Sequence, residues 1–249
     1  MIVKAVKTHK ITTKDDNLLK VLDKYITELH EGSVLAITSK IVSICEGRIV
    51  PVKGSDKDKL IKREAGFYLP KEKNKYNVFL TIKNNRLAVS AGIDESNANG
   101  NYILWPKDPQ ETANQVRGYL TKRFYLQKVG VVITDSITTP LRFGVMGAAL
   151  SHSGFLALND LIGTPDVFGK MLKMTKVAVL DGLAASAVLV MGEGREQTPI
   201  VVISDIPFVK FQDRNPTEQE LNELKIAIED DVYAPLLKSV NWRKGKKFC

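Results

Sequence analysis

The sequence predicts a mixed α/β protein, α+β in character, with mixed or antiparallel sheets and packed helices. Three observations carry this. Helical spacing recurs in several windows: Leu18, Leu22, Tyr25, Ile26 and Leu29 fall on one face. Short apolar runs bounded by turn residues, Ser33 to Thr38, Gly130 to Thr134 and Pro199 to Ser204, read as strands. Tyr76 to Ile82 and Arg86 to Ala91 flank Lys83-Asn84-Asn85 as an antiparallel hairpin. Strands and helices do not alternate regularly, so a doubly wound nucleotide fold is not expected.

Each element has local support. The first helix is predicted over Lys14 to Leu29, with Thr13 as its cap and Gly32 as its stop. The Glu46-Gly47-Arg48 turn follows Ser39-Lys40. Asp108-Pro109-Gln110-Glu111 is a helix start: Asp caps, Pro presets the first turn, and Glu111 can reach back. Ala113, Val116, Tyr119, Leu120 and Phe124 give that helix its buried face. Lys176 to Met191 is too long for one strand and rich in Ala and Leu, so one buried helix is expected. Asn215-Pro216-Thr217-Glu218 repeats the helix-start chemistry, with Leu221, Leu224, Ile228 and Val232 as its face.

Composition excludes some functions. With 249 residues and 44% apolar content, the chain can bury a sizeable core. No apolar run approaches a membrane span, and Met1-Ile2-Val3-Lys4 does not open a signal peptide. The two cysteines, Cys45 and Cys249, suit a reducing cytoplasm. The net charge of +8 is concentrated. Residues 53–75 carry eight Lys/Arg against four Asp/Glu, and residues 243–247 carry four cations and no acid. These segments are either a solvated loop and a frayed tail or an anion-attracting patch. Aromatic residues, 7% of the chain, are read as standing apart from the basic segments. Single-strand nucleic-acid binding is therefore not expected.

Several polar residues sit where chemistry is done. Asp94 and Asn97 follow the small residues Ala91-Gly92. Asp135-Ser136 ends the apolar strand Val131-Val132-Ile133-Thr134. Carboxylate and hydroxyl oxygens there suit Mg²⁺ beside phosphates, but Asp and Asn after a strand are also ordinary turn chemistry. Met191-Gly192-Glu193-Gly194-Arg195-Glu196-Gln197-Thr198-Pro199 offers backbone N–H groups for phosphate or is a solvated loop. Asp181 lies in an apolar stretch and needs a partner, a metal or an outlet to solvent. His9, His30 and His152 have no partner at zinc spacing, and no nucleophile elbow is present.

The order of these segments resembles the F420-0:γ-glutamyl ligase family. Ser39-Lys40-Ile41-Val42-Ser43 with Glu46-Gly47-Arg48 is similar to the family's opening motif, and Ala91-Gly92-Ile93-Asp94 with Ser96-Asn97 to its second. Trp105-Pro106-Lys107-Asp108-Pro109 resembles its Leu-Pro-x-Asp-Pro turn. Val132-Ile133-Thr134-Asp135-Ser136, then Pro140, Arg142 and Gly144, resembles its central motif. Gly163, Asp166, Phe168-Gly169, Leu172 and Thr175 continue the pattern. Ala178, Asp181, Leu183-Ala184-Ala185, Met191-Gly192-Glu193 and Thr198-Pro199 complete it.

The resemblance implies the family's own α/β fold over residues 1–204, with 205–249 a helical extension ending in a basic tail. It implies a cytoplasmic homodimer. It implies a ligase that joins L-glutamate to a carboxylate of F420-0 or a related acceptor through an acyl phosphate; the alternatives are a related nucleotide-dependent amino-acid ligase with a different acceptor and a non-catalytic nucleotide-binding relative. GTP is the implied co-substrate, Mg²⁺ or Mn²⁺ the metal, and K⁺ an optional further ion. By motif position Asp94, Asp135 and Arg142 are catalytic. Asp94 and Asp135 hold one metal, and Ser136 and Glu193 a second. Thr8, His9, Ser39, Lys40, Asn97, Met191, Gly192, Glu193, Gly194 and Thr198 contact the nucleotide. The sequence departs from the family at Ile44, where Lys is usual, and at Cys45, where Ala is usual. Thr138-Thr139-Pro140-Leu141-Arg142 lacks one family Arg, and Asp181-Gly182 replaces an Asp-Glu pair. Those departures bear on the acceptor more than on the metal chemistry.

Overall fold

The computed structural model describes residues 1–245. Strands β1 (Ile2–Val6), β2 (Ser33–Thr38), β8 (Val129–Thr138), β9 (Val145–Ser153) and β12 (Ile200–Ser204) form the main sheet, in the order β1-β12-β2-β8-β9. Only β2 and β8 run parallel within it. Strands β13 (Arg243–Lys244), β4 (Phe67–Leu69), β5 (Leu80–Lys83) and β6 (Arg86–Val89) form a second, antiparallel sheet. Two small ladders pair β3 (Ile49–Pro51) with β7 (Asn101–Ile103), and β10 (Leu158–Asp160) with β11 (Lys176–Ala178). The helices are α1 (Leu18–Tyr25), α2 (Ser39–Cys45), α3 (Lys57–Glu64), α4 (Pro109–Phe124), α5 (Val179–Met191), α6 (Glu218–Asn222) and α7 (Ala234–Leu237). The mixed α/β expectation holds.

The main sheet is buried on both faces, which is why its strands read as unbroken apolar runs. Alternation along β2 divides its residues. Val34 and Ala36 pack with Val132, Val201 and Ile203 against α5. Leu35 and Ile37 pack with Val131, Ile133 and Ile200 against α1, α2 and α4.

Local chemistry corrects three predicted elements. The first helix begins at Leu18, because Asn17 caps it by accepting from the Leu19 and Lys20 N–H groups. Asp15 is engaged by His9 and by the Thr12 N–H, which holds residues 12–15 as a loop. The helix ends at Tyr25, although Ile26 and Leu29 stay buried. The stretch Lys176–Met191 divides, its first three residues pairing with Leu158–Asp160 before α5 starts. Beyond Asn215 the cap is Thr217, closed by Glu220 as a capping box, but α6 is short and Val232 is 83% exposed. The Asp108 cap stands as expected, its side chain accepting from the Glu111 N–H. The hairpin's strands are shorter than expected, Leu80–Lys83 and Arg86–Val89, with Lys83 paired to Arg86, and it turns through Asn84 and Asn85 alone, both with positive φ, as a two-residue primed turn requires.

The two basic segments meet. Arg243 and Lys244 pair with Tyr68 and Phe67 on β4. Contrary to expectation, aromatics interleave there: Lys62 lies over Tyr68 and Phe79, Lys71 over Phe79, and Lys75 over Tyr76. Residues 246–249, which include the last two cations of the basic segment, lie outside the described range.

Candidate active site

A cleft of about 800 Å³ opens between the end of the main sheet and the turns beside β6 and β7. Its lining brings together Thr8, His9, Lys40, Asp94, Asn97, Asp135, Ser136 and the loop from Met191 to Thr198. Segments some 190 residues apart in the chain thus converge, and each arrives for a local reason.

Asp135 comes from β8, just past a register shift at Ile133/Thr134 that re-aims the strand. One of its carboxylate oxygens accepts from the Ser39 hydroxyl at 3.2 Å, and the other accepts from the Trp105 indole N–H. Ser39 starts α2 directly after β2, which is parallel to β8, so both strands deliver their ends to one place. Burial pushes the Asp135 carboxyl up to about 6, Trp105, the Ser136 N–H and Ser39 oppose the shift, and the nearby Asp94 charge adds to it.

Asp94 follows three consecutive residues in the left-handed region, Ser90, Ala91 and Gly92. Such backbone persists only where packing enforces it, and it clusters at functional sites. The Lys40 ammonium lies 2.5 Å from the Asp94 carboxylate and also donates to Ser96. Burial works to raise the Asp94 pKa, but the Lys40 pairing and the Ser96 hydrogen bonds outweigh it and hold the carboxyl below its usual range.

The opposite wall is the loop after α5. The Ser136 hydroxyl donates to Glu193. Asn97 Nδ2 donates to the Gly194 carbonyl at 2.9 Å, and Thr198 Oγ1 to the Met191 carbonyl at 2.6 Å. The Thr8 N–H donates to the Gln197 carbonyl, tying the first segment to this loop. His9 is fixed between the Tyr25 hydroxyl at 2.5 Å and Asp15 at 2.8 Å.

Two site residues anticipated from sequence do not line the cleft: Ser39, which is buried beneath Asp135, and Arg142. Arg142 lies exposed on the loop joining β8 to β9, between the fully exposed Leu141 and Phe143. Asp181 is also outside it; its carboxylate accepts from the Ala149 N–H at 3.0 Å and pairs with Arg86. Sequence reasoning missed Trp105, Arg48, Glu64 and Lys83 as supports of the site. The one available signal was Trp105, standing where the family's turn has Leu.

The donor set suits a hard divalent cation, since Asp94, Asp135, Ser136 and Glu193 all offer oxygen. Among the described residues no group of three or more His, Cys, Asp or Glu forms a closed metal cage. Ser136 donates to Glu193, and the Asp94 charge helps to raise Asp135. Mg²⁺ is commonly held by one or two protein carboxylates when phosphate oxygens and water complete its shell.

Comparison with known proteins defines the class, then the family. Residues 5–205 match the family described as F420-0:Gamma-glutamyl ligase. The coenzyme F420:L-glutamate ligase of Methanocaldococcus jannaschii is 32% identical over 230 residues, covering 82% of this chain and 89% of that protein. That of Methanopyrus kandleri is 35% identical over 193 residues, covering 70% and 75%. That of Archaeoglobus fulgidus is 31% identical over 238 residues, covering 90% and 92%. The chain is an enzyme of the amide-bond-forming ligase class. It belongs to the F420-0:γ-glutamyl ligase family.

Proposed function

We propose that this enzyme joins the amine of L-glutamate to a carboxylate of F420-0 or a close relative, using GTP and Mg²⁺ or Mn²⁺. The observation that carries the reading is the convergence of Asp94, Asp135, Ser136 and Glu193 on one cleft, walled by the 191–198 loop. The acceptor carboxylate attacks the γ-phosphorus, the bond to GDP breaks, and an acyl phosphate forms. The glutamate amine then attacks the acyl carbon, phosphate leaves, and the amine proton passes to a base. A divalent metal, held by these four residues, would neutralise charge building on the phosphate oxygens.

The chain's own groups have clear parts. Lys40 supplies a cation within reach of a phosphate that enters beside Asp94. The Gly194 N–H, which donates to Glu196 at 2.8 Å, would be open to a phosphate that displaces that carboxylate. Thr8 and His9 close the end of the cleft where the nucleotide would lie. The departures at Ile44 and Thr139 remove cationic groups and bear on which acceptor is taken.

Two further parts belong to this reading. Leu141, Phe143, Val167, Phe168 and Met174 are each at least 89% exposed, an apolar set that a second copy of the chain would cover in a homodimer. Residues 1–204 are the ligase unit, and 205–249 an extension that braces it. The enzyme works in the cytoplasm, where Cys45 stays a free thiol. The test is calorimetry with GTP, GDP and ATP, each with and without Mn²⁺. Metal-dependent guanine-nucleotide binding is expected; a folded protein that binds no nucleotide would end the reading.

A further inference from the structure

Trp105 is 2% exposed, yet its one polar atom reaches the cleft floor, where the indole N–H meets the Asp135 carboxylate. Two residues earlier, Ile103 exchanges backbone hydrogen bonds of 2.8 and 2.9 Å with Asp94. The three-residue segment Ile103–Trp105 therefore grips Asp94 by its backbone and Asp135 by its side chain. Covalent geometry within the segment fixes how far apart the two acids are held.

The segment is itself braced. The Leu104 N–H donates to the Arg48 carbonyl at 3.0 Å, and Arg48 Nε donates to the Trp105 carbonyl at 3.2 Å. The Lys83 ammonium lies 5.2 Å from the centre of the Trp105 rings, a cation–π distance. Glu64 joins the two cations, 2.7 Å from Arg48 and 3.1 Å from Lys83. On the remaining side the indole lies where any side chain on Gly92 would be, so backbone approaches it directly. A neutral N–H is the right donor for this task. It orients the carboxylate and leaves its charge for a cation.

We propose that Trp105 is a positioning residue of the ligase site: it fixes Asp135 relative to Asp94, while Lys83 holds its indole and Arg48 its carbonyl, the two cations joined through Glu64. This rests on the metal-dependent reading above and deepens it. The test uses Mn²⁺ alone, without nucleotide or turnover. The chain has two tryptophans, Trp105 and Trp242, so in a Trp242→Phe protein the emission comes from Trp105. Mn²⁺ should quench it saturably, and Mg²⁺ should reverse the quenching. In the otherwise unaltered chain, Trp105→Phe should weaken Mn²⁺ binding, read by calorimetry, about ten- to hundredfold. Lys83→Met, which keeps the indole but frees it, should weaken Mn²⁺ binding less than Trp105→Phe does and decides the matter if Trp105→Phe does not fold. Undiminished Mn²⁺ affinity in a folded Trp105→Phe protein, or in Lys83→Met should Trp105→Phe not fold, would overturn the positioning role and leave the metal-dependent reading standing. Bound Mn²⁺ that leaves Trp105 emission unchanged would do the same. No Mn²⁺ binding by the parent protein would remove both.

Discussion

Replacing Gly92 with Ala should cost both stability and metal affinity, and the two effects share one cause. A Cβ at Gly92 would lie 2.8 Å from Trp105 Cδ1 and closer still to Nε1 and Cε2. Carbon atoms in contact prefer about 3.5–4.0 Å, so the indole must move by roughly 1 Å or more. Overpacking of this kind costs about 1–3 kcal/mol. Gly92 also has φ +70°, where an L-residue costs roughly 1–2 kcal/mol more. The sum, about 2–5 kcal/mol, corresponds to a fall in Tm of roughly 4–20 °C at this chain length. Gly32 supplies the control: its φ is +74°, but nothing lies within 4 Å of an added Cβ. Gly32→Ala should therefore cost only about 1–2 kcal/mol and leave metal binding unchanged. Thermal unfolding and Mn²⁺ calorimetry on both variants make the comparison. If Gly92→Ala costs no more than Gly32→Ala and binds Mn²⁺ equally well, Trp105 is not wedged against the turn as described.

Other perturbations have equally definite outcomes. Asp135→Asn keeps the shape of the side chain but removes its charge, and should abolish metal-dependent ligation with little loss of Tm; full activity would remove Asp135 from the metal site. Burial pushes His152 down to about 4, with Glu220 opposing, so its neutral form favours the fold. That stabilisation is complete above pH 6.5 and fades as pH falls towards 4, by up to roughly 3 kcal/mol. His152→Gln should flatten the pH dependence of urea unfolding across that window; an unchanged slope would contradict it. Truncation after Ser204 should destabilise the protein sharply, because Ile206 and Val209 are buried in the core beside α5 and β13 completes the second sheet. A stable, active truncated chain would show the brace to be dispensable. Leu141→Asp with Phe143→Asp should yield a monomer by light scattering; a dimer of unchanged mass would place the interface elsewhere.

How much was legible in the sequence follows from how local each determinant is. The Asp108 cap, the turn through Asn84-Asn85 and the strands β2, β8 and β12 are set by neighbours in sequence and stand close to where expected, whereas β1 and β9, at the two edges of the main sheet, were not anticipated. The first helix was misjudged because Asp15 turns to His9 and Thr12, contacts that helical periodicity cannot reveal. Lys176–Ala178 reads as helix in isolation and becomes a strand because Leu158–Asp160 offers it a partner. The cleft residues Asp94, Asp135 and Glu193 were recognisable as acids following small residues or an apolar run. The Arg48–Glu64–Lys83 support was not, since its members lie on separate elements with no shared spacing. Arg142 illustrates the converse: a matching motif position does not place a side chain in the cleft of its own chain.

The most direct test of the central claim is a stoichiometric ligation assay. Purified enzyme is given F420-0, ¹⁴C-labelled L-glutamate and GTP, with and without Mn²⁺. GDP, phosphate and labelled γ-glutamyl product are then counted together. One GDP and one phosphate per amide formed are expected, and none of the three without metal. Labelled product formed without metal or GTP, or GTP consumed without product on any carboxylate acceptor supplied, would contradict that claim.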